Sequence, residues 1–277
     1  MKRPIGRTVP LTRSKGNSTC ALFGDHPGWK IEDGTARRVL RKKSATRWLI
    51  EDLGNGDLSM LRLSGDDDPP IQDVFDPRTL PVTNELTEAL AARGPFFRVR
   101  NPDLWDALAT GLIRQVIRAG QAKKLYRLLC AEHGERLDTV NGPLFFFPAP
   151  EVLRNLPDSE YSRLGLSFKR DALRVAAEAM LDHQEEWTGL SPDELSTALL
   201  SIPRVGPWTA AAVVADITND FSHYPHGDLA VRTWARRLAP GMPWPDSEQA
   251  FARHWQHIAA GHLSCLTALT LALGGTS

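Results

Sequence analysis

The sequence predicts a mainly α-helical fold preceded by a β-rich N-terminal region, an α+β arrangement. In segments such as 104–116 and 173–180, apolar residues recur three and four positions apart, which is the period of an amphipathic helix. Before about residue 80, short apolar-rich runs are instead separated by Gly, Asn and Pro, as strands are separated by turns. A chain of 277 residues can form two domains, so we expect a β-rich domain with a basic arm over 1–85 and a helical domain over 86–277.

The first elements are two strands joined by a tight turn. The runs at 47–50 (RWLI) and 58–63 (LSMLRL) flank an Asn-Gly dipeptide at 55–56, which two-residue hairpins prefer because both positions tolerate positive φ. The acidic segment at 65–77 (GDDDPPIQDVFDP) ends this pattern, and from Asn84 onward the sequence predicts helices almost throughout.

The helical region carries recognisable helix starts. Asn101-Pro102 places a capping side chain before a proline at the first helical position. The segment 191–194 (SPDE) combines an N-cap Ser, a Pro and a Glu three residues after the Ser, which is a capping box. With the apolar periods, these signals predict roughly eight to ten short helices.

Charge is distributed unevenly along a chain whose formal net charge is zero. Residues 1–50 carry twelve Lys or Arg against three acids, whereas residues 51–76 carry eight acids against one Arg. Between residues 114 and 127 there are five basic residues and no acid. Such local basic faces can bind phosphate on a neutral protein, or they can be ordinary solvated helix faces.

The sequence argues against several other classes of protein. Its three cysteines lie far apart, which excludes a CxxC pair and a disulfide framework. It has no run of eighteen apolar residues and no apolar core of signal-peptide length, so we expect a cytoplasmic protein with no membrane partner. The histidines at 223 and 226, and at 254, 257 and 262, have chelating spacings, but no carboxylate or cysteine completes a set, so we expect no metal.

Residues 195–217 predict two helices joined by a very short turn. LSTALLSI ends the first helix, residues 203–206 (PRVG) make the turn, and Pro207 starts the second helix. The main-chain N–H groups of such a turn and of the following helix N-terminus point outward, where they can hold an anion. The segment is therefore either a phosphate-binding hairpin or a plain connection between packed helices.

The same residues resemble a known family. The run at 202–210 (IPRVGPWTA) resembles the LPGVGxxTA hairpin of the helix-hairpin-helix DNA glycosylases, and Asp228 follows at about the distance of that family's catalytic aspartate. Residues 112–125 (LIRQVIRAGQAKKL) look like its ILGQQ(V/I)S helix junction, and 164–170 (LGLSFKR) like its LGLS(x)RK helix start. The resemblance implies a helical bundle of two lobes with a DNA cleft between them.

Among the branches of this family, the sequence looks most like 3-methyladenine DNA glycosylase II, which also has a β-rich N-terminal domain. Members that also cut the strand carry a lysine where this sequence has Trp208, and that amine forms a Schiff base with C1′. The resemblance therefore implies a monofunctional glycosylase that removes a damaged purine, in that branch an alkylated one, and leaves an abasic site. It implies double-stranded DNA as the partner, a monomer, and no cofactor beyond a monovalent cation on the hairpin carbonyl groups.

Asp228 is the candidate catalytic residue. Breaking an N-glycosidic bond builds positive charge on the sugar, so a fixed carboxylate near C1′ stabilises the transition state more than the ground state. The carboxylate could also orient the attacking water. The alternative is that Asp228 only caps the predicted helix at 229–238.

The resemblance assigns DNA contacts to two segments. Val116, with Gln115 beside it, is the candidate wedge that fills the gap left by an extruded base, although Val116 could equally be a core residue of an amphipathic helix. Arg114 and Arg118 flank the wedge and could contact phosphates. The hairpin contributes the remaining candidate DNA-binding residues, which are Pro203, Arg204, Val205, Gly206 and Thr209.

Trp208 and Ala212 form the candidate base pocket. An electron-rich indole suits a cationic alkylated purine, but Trp208 could equally be buried core. Ala212 stands where the alkylpurine branch tends to have a second aromatic residue, which leaves the identity of the excised base open. Arg204 replaces the first glycine of the hairpin, so we expect a distorted turn if that position requires positive φ. These departures keep a second function open, that of a non-catalytic or altered-specificity DNA-binding protein.

Overall fold

The computed structural model describes residues 20–42, 45–52 and 58–272. Within these residues three small sheets accompany a large set of helices, so the predicted α+β class is confirmed. The Asn-Gly turn at 55–56 and the basic arm before Cys20 lie outside the described residues. In the described part of the chain, no helix is long and apolar enough to cross a membrane.

Strand β1 (Ala21–Leu22) is followed by a four-stranded antiparallel sheet. Its strands are β2 (Lys30–Glu32), β3 (Thr35–Lys42), β4 (Thr46–Asp52) and β5 (Leu58–Ser64), which are neighbours in that order. Strands β4 and β5 pair from Arg47↔Ser64 to Asp52↔Leu58, which confirms the two strands predicted at 47–50 and 58–63. Large apolar side chains from this sheet form a small core of their own, with Trp29, Leu40 and Ile50 almost fully buried.

A second sheet spans the predicted domain boundary. Strand β6 (Gln72–Phe75) precedes helix α1 (Glu85–Arg93), and strand β7 (Phe96–Val99) follows it and pairs with both β1 and β6. The expectation that the chain is almost entirely helical after Asn84 is therefore wrong at β7. All four residues of β7 are buried, and so short a buried run has no period that could reveal a strand. The boundary at 85/86 stays a prediction.

The rest of the described chain is mostly helical. Helices α2 (Leu104–Arg114) and α3 (Ala119–His133) are followed by the short strand pair β8 (Arg136–Leu137) and β9 (Leu144–Phe145), and then by α4 (Pro150–Asn155), α5 (Asp158–Arg163), α6 (Arg170–Trp187), α7 (Pro192–Leu200), α8 (Pro207–Thr218), α9 (Leu229–Leu238), α10 (Glu248–Ala259) and α11 (Leu263–Ala272). Two apolar cores lie on either side of α8. One involves α2, α3, α6 and α7, and the other involves α1, α9, α10 and α11.

The predicted helix starts have different outcomes. The capping box at 191–194 is confirmed, with both reciprocal hydrogen bonds between Ser191 and Glu194 present. The start predicted at Asn101-Pro102 is wrong, because α2 begins at Leu104 and Asp103 is its N-cap. Asn101 is fully buried, and its side chain instead donates to the carboxylates of Asp106 and Asp216.

His26 lies in a buried polar network between the sheets and the helical bundle. Its Nε2 lies 3.6 Å from a carboxylate oxygen of Asp106 and 3.9 Å from one of Asp216. Burial, aided by the charge of Arg38, lowers the pKa of this ring from 6.5 to about 3 even though the carboxylates oppose the shift. His26 is therefore neutral in the folded protein at ordinary pH.

We expect His26 to make the protein less stable as the pH falls below 6.5. The unfolded chain binds a proton near pH 6.5, whereas the folded ring stays neutral down to about pH 3. In this window the group lowers the free energy of unfolding by about 1.4 kcal/mol per pH unit. Urea unfolding at pH 5.0 and 6.5 should show a smaller pH dependence for His26→Gln than for the exposed control His183→Gln. Equal slopes would contradict the assignment.

Candidate active site

Helices α7 and α8 form the hairpin that the sequence predicted. They are joined by residues 201–206, and the N–H of Val205 donates to the carbonyl of Ile202 at 3.1 Å. The N–H groups of Gly206 and Trp208 have no acceptor among the described residues. A Cβ added to Gly206 would meet nothing within 4 Å. The N-terminus of α8 is therefore open to an anion.

Arg204 adopts a left-handed backbone conformation, with φ at 72°. Because Pro203 precedes it, the turn has Pro at its second position and positive φ at its third, as a type II turn does. The position therefore requires positive φ, but the expected distortion is not present, because the hydrogen bond between Val205 and Ile202 closes the turn. The Arg204 side chain is exposed, with its guanidinium 3.6 Å from the Asp171 carboxylate.

Replacing Arg204 should separate backbone strain from DNA contact. We expect Arg204→Gly to be more stable to unfolding than Arg204→Ala by up to about 1 kcal/mol, because glycine has no Cβ to strain a left-handed residue. If the guanidinium meets a phosphate, both variants should bind duplex DNA more weakly than wild type, with a salt slope smaller by about one. Thermal melts and binding titrations at several salt concentrations measure the two effects. An Arg204→Gly protein less stable than Arg204→Ala would contradict the strain.

Asp228 is the N-cap of α9 and lies half-buried beside the start of α8. Its Oδ2 accepts hydrogen bonds from the N–H of Ala230 at 3.1 Å and from the hydroxyl of Tyr224 at 3.3 Å. Its Oδ1 accepts a hydrogen bond from the indole N–H of Trp208 at 3.2 Å. The carboxylate therefore caps its helix and is also fixed to the candidate base pocket.

Tyr224 is the residue of this site that sequence reasoning missed. It is only 7% exposed, and burial together with the charge of Asp228 raises the pKa of its hydroxyl, which therefore stays protonated and donates. The loop that holds Tyr224 continues to Gly227, where an added Cβ would lie 2.5 Å from Cγ of Glu248. Gly227 thus allows a close approach to α10. Nothing in the sequence except closeness to Asp228 pointed to Tyr224.

Trp208 and Ala212 lie one turn apart on α8, and both are half-buried. Trp208 is therefore not a fully buried core residue, and its indole N–H donates a hydrogen bond to Asp228. Leu229, next to Asp228, is 67% exposed, so the site opens to solvent. A cavity of about 1430 Å³ lies at the opposite end of α7 and α8 and is lined by none of the predicted site residues.

Val116 is not a core residue. Helix α2 ends at Arg114, two residues earlier than the apolar period suggested, because Gln115 has ψ at 130° and Val116 has φ at 61°, and neither conformation continues the helix. The Val116 side chain is fully exposed, at 101%. A β-branched residue rarely adopts this conformation. The full exposure of Val116 excludes the interpretation that it is a core residue and leaves the candidate wedge.

Gln115 brings the Val116 loop and the hairpin together. Its side-chain Nε2 donates to the carbonyl of Arg204 at 3.1 Å and to the hydroxyl of Thr209 at 2.7 Å. The helices approach closely here because α2 has a glycine, Gly111, where a Cβ would stand 3.1 Å from the methyl group of Thr209. Gln115 and Val116 from one predicted segment, and Arg204 and Thr209 from the other, therefore form one cluster.

The two candidate phosphate-binding arginines have different surroundings. Arg118 is exposed and directly precedes α3, where its side chain makes no capping hydrogen bond. Arg114 is half-buried, and its charge opposes the rise in the Tyr224 pKa, so it lies close enough to act on that hydroxyl. Neither arginine forms an ion pair with a described residue.

The chain matches no protein-family model and no curated protein sequence, but its fold matches solved structures. The 3-methyladenine DNA glycosylase of Archaeoglobus fulgidus gives a TM-score of 0.70 at 16% identity, covering 97% of this chain and 98% of that chain. The 8-oxoguanine glycosylase/lyase of Clostridium acetobutylicum in complex with double-stranded DNA gives 0.67 at 15% identity, covering 90% and 88%. The DNA-3-methyladenine glycosidase of Bacillus halodurans gives 0.52 at 18% identity, covering 74% and 93%. The chain therefore has the fold of these DNA glycosylases, as the sequence resemblance implied.

Proposed function

We propose that the protein is a DNA glycosylase that extrudes a damaged purine from duplex DNA and hydrolyses its N-glycosidic bond with Asp228. The observation that carries this proposal is the hydrogen bond from Trp208 to Asp228. Trp208 lies two residues after Gly206, in the first turn of α8. Its side chain therefore connects the open N-terminus of α8 to the fixed carboxylate of Asp228. Solved proteins of the same fold are DNA glycosylases, which supports the proposal.

The arrangement suits hydrolysis at C1′ of the nucleotide. The C1′–N bond breaks and its electron pair leaves with the base, while a water attacks C1′ and gives up a proton. The Asp228 carboxylate stabilises the positive charge that develops on the sugar and can accept that proton. Three hydrogen bonds from Trp208, Tyr224 and Ala230 hold the carboxylate in one orientation, so it need not reorganise during the reaction.

We propose that the reaction stops at the abasic site. Strand cutting by a Schiff base needs an amine close to C1′, and the indole of Trp208 supplies none at the position where strand-cutting relatives have lysine. Wild-type protein should therefore leave the strand intact until alkali is added. A covalent adduct with DNA trapped by borohydride would contradict this.

For the substrate, we propose an alkylated purine, because Trp208 is only half-buried and an electron-rich indole can stack on a cationic base. Arg114 favours a second candidate, a neutral damaged purine with a carbonyl acceptor. It places a positive charge near Tyr224, where the family motif ILGQQ has glycine. A guanidinium repels a cationic base and can donate to the carbonyl and N7 acceptors of a purine.

A substrate panel tests these proposals. Duplexes bearing 3-methyladenine, 7-methylguanine, hypoxanthine or 1,N6-ethenoadenine would be incubated with wild type and with Arg114→Gly, and the free bases measured by mass spectrometry. Release of the methylated bases is expected, with Arg114→Gly releasing them faster if the arginine opposes cationic bases. Release of hypoxanthine alone would favour the second candidate, and no release from any duplex would contradict a glycosylase.

A further inference from the structure

We propose that Gln115 is a positioning residue that ties the exposed Val116 to the hairpin turn, so that the wedge and the phosphate-binding turn move as one unit. The inference goes beyond the reaction proposed above, and only its DNA steps rest on that function. It follows from contacts between residues 89 positions apart in the sequence.

Each of the two tied segments contains a residue in an unfavourable conformation. Val116 has φ at 61° and Arg204 has φ at 72°. Both values lie in the left-handed region, which residues other than glycine rarely adopt. The conformation is least favourable for a β-branched residue such as valine. Such backbone persists only where neighbouring contacts hold it, so both residues need an external clamp.

The side chain of Gln115 provides the clamp on the hairpin side. Its amide nitrogen donates to both Arg204 and Thr209, at 3.1 and 2.7 Å. The first acceptor is the main-chain carbonyl of the strained residue itself. The second cannot move away, because Thr209 is 1% exposed and its methyl packs against Gly111. The position of Gln115 therefore fixes the turn at Arg204.

Lys169 provides the clamp on the wedge side. Its Nζ donates to the main-chain carbonyl of Gln115 at 2.8 Å, and that carbonyl belongs to the peptide bond that leads into Val116. The Lys169 side chain is almost fully buried, and its burial lowers the pKa of the ammonium. It forms no ion pair with a described residue, and its Nζ lies 5.2 Å from the centroid of the Phe168 ring. A buried cation is costly unless bound, so this ammonium keeps the carbonyl turned toward it.

These two clamps act on different groups of one residue, the side-chain amide and the main-chain carbonyl of Gln115. With its carbonyl and its side chain both held, Gln115 cannot rotate to let Val116 return to a right-handed conformation. The wedge is thus ordered before DNA arrives, and the cost of ordering it is met during folding rather than during binding. Its fixed link to the hairpin means that a duplex gripped at the turn meets Val116 at a set distance.

Hydrogen exchange of the DNA-free protein tests the link. We expect Gln115→Ala to speed amide exchange about tenfold or more in peptides covering both 115–118 and 201–206. The matched control is Gln121→Ala, which removes an exposed glutamine near the start of α3 and should change neither segment. A change in only one segment, or in neither, would overturn the proposal.

Two further variants distinguish positioning from general packing. Lys169→Met keeps most of the side-chain volume but loses the hydrogen bond to Gln115, so it should speed exchange at 115–118 even if Gln115→Ala does not fold. Asparagine adopts positive φ more readily than valine, so in a Val116→Asn background Gln115→Ala should speed exchange at 115–118 less. An equal effect in both backgrounds would contradict a role in holding the left-handed residue.

The consequence for DNA is measured with a duplex carrying 2-aminopurine, whose fluorescence rises when the base is unstacked. The Asp228→Asn protein should still show the fluorescence rise. The double variant Asp228→Asn/Gln115→Ala should show a rise that is severalfold smaller, and this reduction should exceed its loss of affinity for the undamaged duplex. If Gln115→Ala speeds exchange in both segments but the wild-type protein releases no base, the glycosylase proposal is contradicted and the role of Gln115 is not. An unreduced fluorescence rise with Gln115→Ala would overturn the role of Gln115.

Discussion

Asp228→Asn should reduce base release by about 10²–10⁴-fold while leaving the protein folded. Asparagine caps a helix about as well as aspartate, so the hydrogen bond from Ala230 can be kept. In the proposed mechanism, the substitution removes the negative charge beside the sugar and the group that accepts the proton of water. Single-turnover assays give the rate, and a thermal melt reports the fold.

The matched control is Asp220→Asn. Asp220 also caps a short helical segment, accepting a hydrogen bond from the N–H of Ser222 at 2.9 Å, but the side chains of Trp208 and Tyr224 donate to Asp228 and not to Asp220. Its substitution should leave base release within about twofold of wild type. If Asp228→Asn kept most of the activity, or if Asp220→Asn lost as much, the residue would be only a helix cap.

Arg98→Met should destabilise the protein by about 3–5 kcal/mol. Arg98 lies on β7 and is 4% exposed. Its guanidinium donates to Asp25 at 2.9 Å and to Asp216, near the end of α8, at 2.6 Å. Burial alone would raise the pKa of Asp216, but the charges of Arg98 and Arg38 hold it below its ordinary value. Without Arg98, the buried Asp216 and the half-buried Asp25 lose their main charged partner, and the sheet loses one of its links to the helix that carries Trp208.

Chemical denaturation measures this effect. The control is Arg136→Met, which removes an exposed arginine paired with the exposed Asp138 and should change the free energy of unfolding little. A loss for Arg98→Met no larger than for this control would mean that the buried ion pairs do not hold α8 to the sheet.

Features encoded by neighbouring residues could be predicted from the sequence. The hairpin has Pro203, Gly206 and Pro207 within five residues, and the position of Asp228 before a helix is a local signal of the same kind. The capping box at 191–194 was correct for the same reason. These elements identified the fold class and the candidate site.

What could not be predicted depends on contacts between distant segments. Asn101 looked like a helix cap, but burial beside Asp216 commits its side chain to a carboxylate 115 residues away. Val116 continues an apolar period, yet the helix ends before it, at Gln115, whose side chain and carbonyl contact Arg204 and Lys169. Tyr224 carries no pattern of its own, because its role comes from where the loop places its hydroxyl.

The most direct test of the account is mass spectrometry of a methylated DNA duplex after incubation with the wild-type protein. We expect free 3-methyladenine or 7-methylguanine in solution, together with strands that lack only the mass of that base and break only after alkali. Intact methylated strands with no free base, or strands cut without alkali, would contradict a monofunctional glycosylase built around Asp228 and Trp208.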